Sequence, residues 1–375
     1  VFVCCIHVYT HVHWCQVGHQ AWFQYHSAAK FDVLLLALSH NDESEWWLRN
    51  KAMVPEGNFH ELGKLGRDLS ASSFAQLVNA LGVHVLITLN GWTSGHQMDA
   101  LALRPAPLQV EYMGSHDSTG ARFMQLFLSD RVASPPDFAG FYSEKLVLVP
   151  DSFFINEYAH SRSHVPDLAD SVYTGDRPPA QSSSPASPDE LWPVSREAYG
   201  LPKEGVIMGN FNQLFKVDPN VFACWMALLT QVPSTYLWLL RLPSTAEAAL
   251  RAEAAKHGPA VASRLIFSDR IHWRHHLVVK ALANISLDNP VFNSHTSGVD
   301  ILWAGVPMLT VAGETMSSRV AASLLYALPF PSLVSRSLQD YQAIAVRLVG
   351  RKQHRNLHVW RQSVQRARGQ GGGDA

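Results

Sequence analysis

Short apolar runs separated by helix-period segments dominate the sequence from residue 31 onward. The runs 31–38 (FDVLLLAL) and 83–89 (VHVLITL) are bounded by polar residues or glycine and read as buried strands. Between them, 72–81 places Phe74, Leu77, Val78 and Leu81 at helical spacing, the crossover that a pair of parallel strands requires. The expectation is a βαβ unit. Further apolar runs at 108–113, 123–128 and 145–149 continue the same half. In the second half, 206–208 reads as a strand, and Asp218 followed by Pro219 reads as a cap and first turn of a helix through Leu229. A strand at 236–242 follows, then Ser244 and Glu247 as a capping box for a helix ending near His257 and Gly258. Strands are expected at 265–267, 285–287 and 307–311. This alternation predicts an α/β fold with parallel sheets covered on both faces and ligands at the carboxyl ends of the strands.

Composition divides the chain. Its 375 residues suggest two domains at roughly 150 residues each. With 47% hydrophobic and 16% charged residues, disorder over most of the chain is excluded. Residues 176–194 hold five Pro and four Ser, which marks 161–195 as a linker between an N-terminal lobe at 30–160 and a C-terminal lobe at 196–350. Residues 351–375 end in a Gly- and Arg-rich tail, expected to be solvated and partly disordered. Residues 1–29 are left unassigned. Their first twenty-six are crowded with His, Cys, Trp and Tyr without helical or strand period, and with the sequence opening at Val1 they read as a fragment or a faulty gene model.

Thirty Lys plus Arg against thirty-one Asp plus Glu leave no global footprint for nucleic acid or an anionic membrane. Cys4, Cys5, Cys15 and Cys224 give no disulfide framework, which fits a reducing compartment. No apolar run approaches the ~18 residues of a membrane span, and no signal-peptide pattern opens the chain. The expectation is a soluble intracellular protein.

Two loops carry candidate chemistry. After the strand at 285–287 the chain reads DNPVFNSHTSGVD from Asp288 to Asp300, placing His295, Thr296, Ser297 and Gly298 at a helix start. Unpaired N–H groups and the helix dipole make such a start an anion site, where hydroxyls add donors and a diphosphate would fit. The alternative is that Thr296 and Ser297 merely cap the helix. Asp300, one turn in, could accept from ribose hydroxyls. The second loop, Asn210 to Lys216 (NFNQLFK), also follows a strand. Lys216 could neutralise charge on a leaving phosphate and Gln213 could hold a base or phosphate, or Lys216 is a solvated surface lysine. Elsewhere, Cys4, Cys5, His7, His11, His13, Cys15 and His19 match no closed zinc pattern. His84 reads as a core histidine, and Asp42, Glu43 and Glu45 read as a solvated face rather than a glycosidase pair. No Gly-x-Ser-x-Gly elbow is present.

Together with Trp303-Ala304-Gly305, Gly313-Glu314-Thr315, 318–323 (SRVAAS), Asn90-Gly91-Trp92-Thr93, 102–109 (ALRPAPLQ) and 142–146 (YSEKL), these loops resemble the nucleocytoplasmic protein O-linked N-acetylglucosamine transferases, over about 30–160 and 195–350. The resemblance implies a GT-B fold, two Rossmann-like lobes with the donor in the cleft between them. It implies inverting transfer of N-acetylglucosamine from UDP-GlcNAc to Ser or Thr hydroxyls of cytoplasmic and nuclear proteins. Neither a metal nor another cofactor is expected, and the partners are a UDP-sugar and protein acceptors, not nucleic acid or membrane. On matching positions Lys216 stabilises the leaving UDP, Gln213 binds donor, and His295, Thr296 and Ser297 form the diphosphate loop. Asp300 binds the ribose and His276 lies beside the uridine ring.

Several features depart from the family. Its His-Pro-Thr element should lie just before Phe31, yet neither His11 nor His13 is followed by Pro and Thr. Its Lys and Arg near the uridine are replaced by Trp273 and Val279, with Arg274 and Lys280 adjacent. The turn 114–120 (GSHDSTG) lacks the family's Pro and inner Gly. Tetratricopeptide helices and a closing helix are not recognised, which suits a truncated chain. Two other readings follow, an inactive sugar-nucleotide-binding scaffold and a SPINDLY-type O-fucosyltransferase, although 210–216 and 293–300 look closer to the acetylglucosamine branch.

Overall fold

The strand order of each half places the candidate loops. The computed structural model describes residues 2–7, 26–38, 41–43, 45–63, 69–93, 95–156, 158, 195–271, 275–350 and 354–370. They fall into two compact units, one of residues 1–162 with Thr315–Ser317, the other formed by the rest. The linker expected at 161–195 lies almost wholly outside the described residues.

The first unit runs β1 (Phe2–His7), β2 (Asp32–Ala37), α1 (Glu45–Ala52), β3 (Phe59–Glu61), α2 (Ala71–Ala80), β4 (Val85–Thr88), α3 (Met98–Ala102), β5 (Leu108–Tyr112), β6 (Leu126–Asp130) and β7 (Lys145–Val149). The sheet order is β3-β2-β1-β4-β5-β6-β7, every pairing parallel. Period-2 geometry divides β2 between two cores. Leu34 and Leu36 pack with Phe74 and Val78 of α2, whereas Val33 and Leu35 pack with Val54. Ser70 caps α2 by accepting from Ser73 N at 3.0 Å.

Three sequence expectations need correction here. The opening residues are not without structure, because Phe2–His7 forms the strand between β2 and β4, with Val3 opposite both Val33 and Val85. Strands of a parallel sheet covered on both faces read as apolar runs without alternation, so FVCCIH carries no period-2 signal. Consequently β2 and β4 are parallel members of one sheet but not neighbours, so the expected βαβ pair is interrupted by β1. His84 is not in the core; it is exposed just before β4. Asp42 and Glu43 are exposed as expected.

The second unit runs β8 (Val206–Asn210), α4 (Pro219–Gln231), β9 (Thr235–Leu240), α5 (Ala246–Ala255), α6 (Pro259–Ala262), β10 (Leu265–Ser268), α7 (His276–Lys280), β11 (Ile285–Leu287), α8 (Thr296–Trp303), β12 (Met308–Val311), α9 (Val320–Ala327), β13 (Val334–Ser335), α10 (Leu338–Val349) and α11 (His354–Gln370). Its parallel sheet has the order β10-β9-β8-β11-β12-β13. Asp218 caps α4 as expected, accepting from Asn220 N and Val221 N at 2.9 and 3.1 Å. The expected capping box does not form. Thr245 takes the cap position of α5 without a side-chain bond, and Glu247 instead pairs with Arg241 and Arg251. Opposite charge outcompetes the weaker backbone cap.

The tail also differs from expectation. Residues 354–370 form α11, with Leu357, Arg361 and Val364 buried. Arg361 donates to Ala283 O at 2.6 Å and Ala281 O at 2.7 Å, satisfying carbonyls beyond the end of α7. Local composition is polar, but one buried guanidinium fixes the helix to the unit.

In both sheets the first strand in sequence order lies beside the fourth, with the second and third on its other side. That is the doubly wound arrangement, whose switch point opens a crevice at the strands' carboxyl ends. In the second unit the switch point lies between β8 and β11.

Candidate functional site

The two candidate loops leave the sheet side by side at this switch point. β8 ends at Asn210, whose Nδ2 donates to Leu287 O at 2.7 Å and Asn289 Oδ1 at 2.9 Å. Asn212 Nδ2 lies 2.7 Å from Asn289 Oδ1 and 2.8 Å from Ser294 Oγ, while its Oδ1 accepts from Ser297 Oγ at 2.5 Å. Asn289 Nδ2 returns a bond to Lys216 O at 3.1 Å. All these asparagines are buried. Buried amides are retained only when their donors and acceptors are matched, and here the matches run between the two loops, fixing them without spending charge.

Asp288 lies beneath this lattice, fully buried, accepting from Ser294 N at 2.6 Å and Thr310 Oγ1 at 2.7 Å. Burial raises its carboxyl above the ordinary carboxylate range, against the lowering effect of those bonds. Lys216 ends the short turn Leu214–Lys216 and is buried despite its charge. Its Nζ donates to Asn293 O at 2.9 Å and stands 4.0 Å from the centroid of the Phe292 ring. Burial pulls the ammonium down to about 8, with the nearby Asp288 opposing. A lysine so desolvated gains most from an anion placed against it.

His295 shares that aromatic platform, its ring 4.8 Å from Phe292. It occupies the cap position of α8. Thr296 opens the helix half-buried, and Ser297 spends its hydroxyl proton on Asn212. The helix start therefore offers an anion its backbone N–H groups and the dipole. Gln213 precedes the Lys216 turn and is half-buried. Lys216, His295 and Ser297 are thus held together through Phe292, Asn293 and Asn212.

His276 and Asp300 form a second cluster. His276 Nε2 lies 3.1 Å from Asp300 Oδ2, and Lys280 Nζ reaches the same oxygen at 2.5 Å. Burial would raise the Asp300 carboxyl, but the charges of Lys280 and His276 outweigh it and hold the group far below the carboxylate range. Trp273 and Arg274 lie outside the described residues, as do His11, His13 and the side chains of the Cys- and His-rich opening. Among the described residues no group of three or more His, Cys, Asp or Glu is placed to hold a metal ion.

The asparagine lattice and Asp288 had no assigned role in the sequence reading. The available signal was four Asn and one Asp immediately after two strand ends, where apolar strands put polar groups that must find partners. In the first unit, Trp92 Nε1 donates to Thr119 O at 2.8 Å, joining the loops after β4 and β5. The turn at 114–120 lacks the expected Pro and Gly but is held by Glu144, which accepts from Ser118 Oγ at 2.7 Å and Thr119 N at 2.8 Å.

The model of glycosyl transferase family 41 matches residues 12–172 and 169–371 of the chain. The chain belongs to this family. Relatives include the probable UDP-N-acetylglucosamine–peptide N-acetylglucosaminyltransferase SEC of Arabidopsis thaliana, 36% identical over 327 residues, covering 87% of this chain and 30% of the plant protein. The UDP-N-acetylglucosamine–peptide N-acetylglucosaminyltransferase of Caenorhabditis elegans is 30% identical over 410 residues, covering 86% and 35% respectively. The chain thus spans about a third of the length of these relatives. Among solved structures, a mutant O-GlcNAc transferase of Thermobaculum terrenum superposes with a TM-score of 0.78 at 22% identity, over 98% of this chain and 63% of that one. The fold is of the GT-B type, with all strand pairings parallel in both units.

Proposed function

We propose that this family 41 chain is the catalytic region of a protein O-GlcNAc transferase, moving N-acetylglucosamine from UDP-GlcNAc to Ser or Thr hydroxyls. The observation that carries the reading is the buried Lys216 ammonium held against the loop that opens α8. In the reaction the acceptor oxygen forms a bond to the sugar's anomeric carbon while the bond from that carbon to the diphosphate oxygen breaks. The electron pair leaves with UDP and the hydroxyl proton is released. Lys216 meets the charge that develops on the diphosphate, and the α8 start adds its dipole. These two supply the positive potential that a divalent cation gives elsewhere, so the reading requires no metal. His276 and Asp300 then serve the nucleoside end.

The 36% identity to the SEC protein supports N-acetylglucosamine over fucose as the sugar. Acceptors are cytoplasmic and nuclear proteins in this reading. No helix among the described residues is long and apolar enough to cross a membrane. The test is transfer of labelled sugar from UDP-GlcNAc to a Ser/Thr peptide, with GDP-fucose as competitor. Incorporation unaffected by GDP-fucose is expected. UDP binding without incorporation would favour the inactive scaffold, and incorporation from GDP-fucose instead would favour the SPINDLY-type activity.

A further inference from the structure

Asp300 poses an electrostatic problem that α8 alone does not solve. It lies four residues into the helix whose start is assigned the diphosphate, about 6 Å along the axis at 1.5 Å per residue. A buried, uncompensated carboxylate at that distance would repel the ligand through a medium that screens poorly. α7 supplies the compensation. His276 and Lys280 are four residues apart, on one face of that helix, and both reach Asp300 Oδ2. All three side chains are largely buried, at 18%, 12% and 9% relative exposure for His276, Lys280 and Asp300. Lys280 also stands 5.8 Å from the Phe211 ring, inside the loop that carries Lys216.

We propose that Lys280 is a positioning residue of the donor site, which neutralises Asp300 and thereby lets the start of α8 accept a nucleoside diphosphate. The inference rests on the donor reading above. It also accounts for a departure from the family, because the positive charge missing at Trp273 and Val279 returns one residue beyond Val279, on the face of α7 turned to Asp300. Lys280 acts through the carboxylate, and its charge matters to the diphosphate more than to the nucleoside.

The experiment is calorimetric titration of UDP and of uridine into the wild-type chain, Lys280→Met, Lys280→Arg and the double variant Lys280→Met with Asp300→Asn, each checked by a thermal melt. Lys280→Met is expected to weaken UDP by at least about tenfold and uridine by less than about threefold. Lys280→Arg keeps the charge and is expected to hold UDP affinity. The double variant buries no unpaired carboxylate but loses the Asp300 contact to the ribose for UDP and uridine alike, so its UDP-to-uridine affinity ratio is expected to return toward that of the wild type. Should Lys280→Met fail to fold, the double variant and Lys280→Arg carry the comparison. Unchanged UDP affinity in a folded Lys280→Met, equal losses for UDP and uridine, UDP binding lost in Lys280→Arg, or a UDP-to-uridine affinity ratio in the folded double variant well below that of the wild type would overturn the proposal. A wild-type chain that binds no UDP would instead overturn the donor reading, and this inference with it.

Discussion

Lys216 Nζ donates to the main-chain carbonyl of Asn293 at 2.9 Å, so the cation that follows β8 is held by the loop that follows β11. The bond spans 77 residues of sequence. It places a desolvated ammonium beside the start of α8, and the pH behaviour of the site follows from it.

Burial favours the neutral amine and brings Lys216 to about 8. The sign is that of a cation disfavoured by folding, so without ligand this group's contribution to stability rises as pH increases from about 8 toward its ordinary value. A bound diphosphate favours the charged form, so binding takes up a proton above that pH. UDP affinity is expected to fall as pH rises past about 8, and titrations in buffers of different ionisation enthalpy will show the proton uptake. Lys216→Met is expected to lose this pH slope.

Glu111 of β5 is fully buried, with Oε1 accepting from Ser115 N at 3.0 Å and, among the described residues, no hydrogen-bond partner for Oε2. Burial pushes its carboxyl up to about 8, the Ser115 N–H opposing, Glu144 adding to the rise and the Gly114 N–H opposing. A folded state that holds the proton more tightly than the unfolded chain loses stability as pH rises from about 4.5 to about 8. Glu111→Gln keeps the shape without the charge. Urea unfolding should show it more stable than wild type by roughly 2 kcal/mol at pH 8, with the difference shrinking toward pH 5.

Asn212 partners Asn289, Ser294 and Ser297 at once. Asn212→Leu leaves several buried polar atoms unmatched and is expected to cost roughly 2–4 kcal/mol in urea unfolding. UDP affinity should fall with it, since the two loops then lose their common register.

Arg361→Met removes both bonds from α11 to the carbonyls of Ala281 and Ala283. A loss of roughly 2–3 kcal/mol is expected. Hydrogen exchange should increase first in α11, whose anchor is gone.

Gly114 packs on the backbone of Asn90 so closely that an added Cβ would lie 2.3 Å from its N and C atoms. Gly114→Ala is therefore expected to separate the loops after β4 and β5, lowering the melting temperature of the first unit.

The strands and helices legible in the sequence were those with clean local signals. Asp218-Pro219 announced α4, and the runs at 145–149 and 285–287 matched β7 and β11 to the residue. What escaped depended on distant partners. β1 is an inner strand of a parallel sheet, where apolar runs need not alternate, and α11 is largely polar yet buries Leu357, Arg361 and Val364 against the unit. Ser244 and Glu247 spelled a capping box, a local case in which Glu247 pairs instead with Arg241 and Arg251, six and four residues away. In the site, residue types pointed to Lys216 and the helix start, whereas the asparagine lattice and the Lys280–Asp300 pair join residues 20 to 85 positions apart. No local pattern encodes such pairings.

On the proposed reading, Lys216 and the start of α8 together hold one nucleotide diphosphate. Calorimetric titration of UDP into the wild-type chain and Lys216→Met at pH 7 tests it most directly. Saturable one-to-one binding by the wild type is expected, with affinity at least about tenfold weaker in a folded Lys216→Met. Equal affinity in the two proteins, or no binding by the wild type, would contradict it.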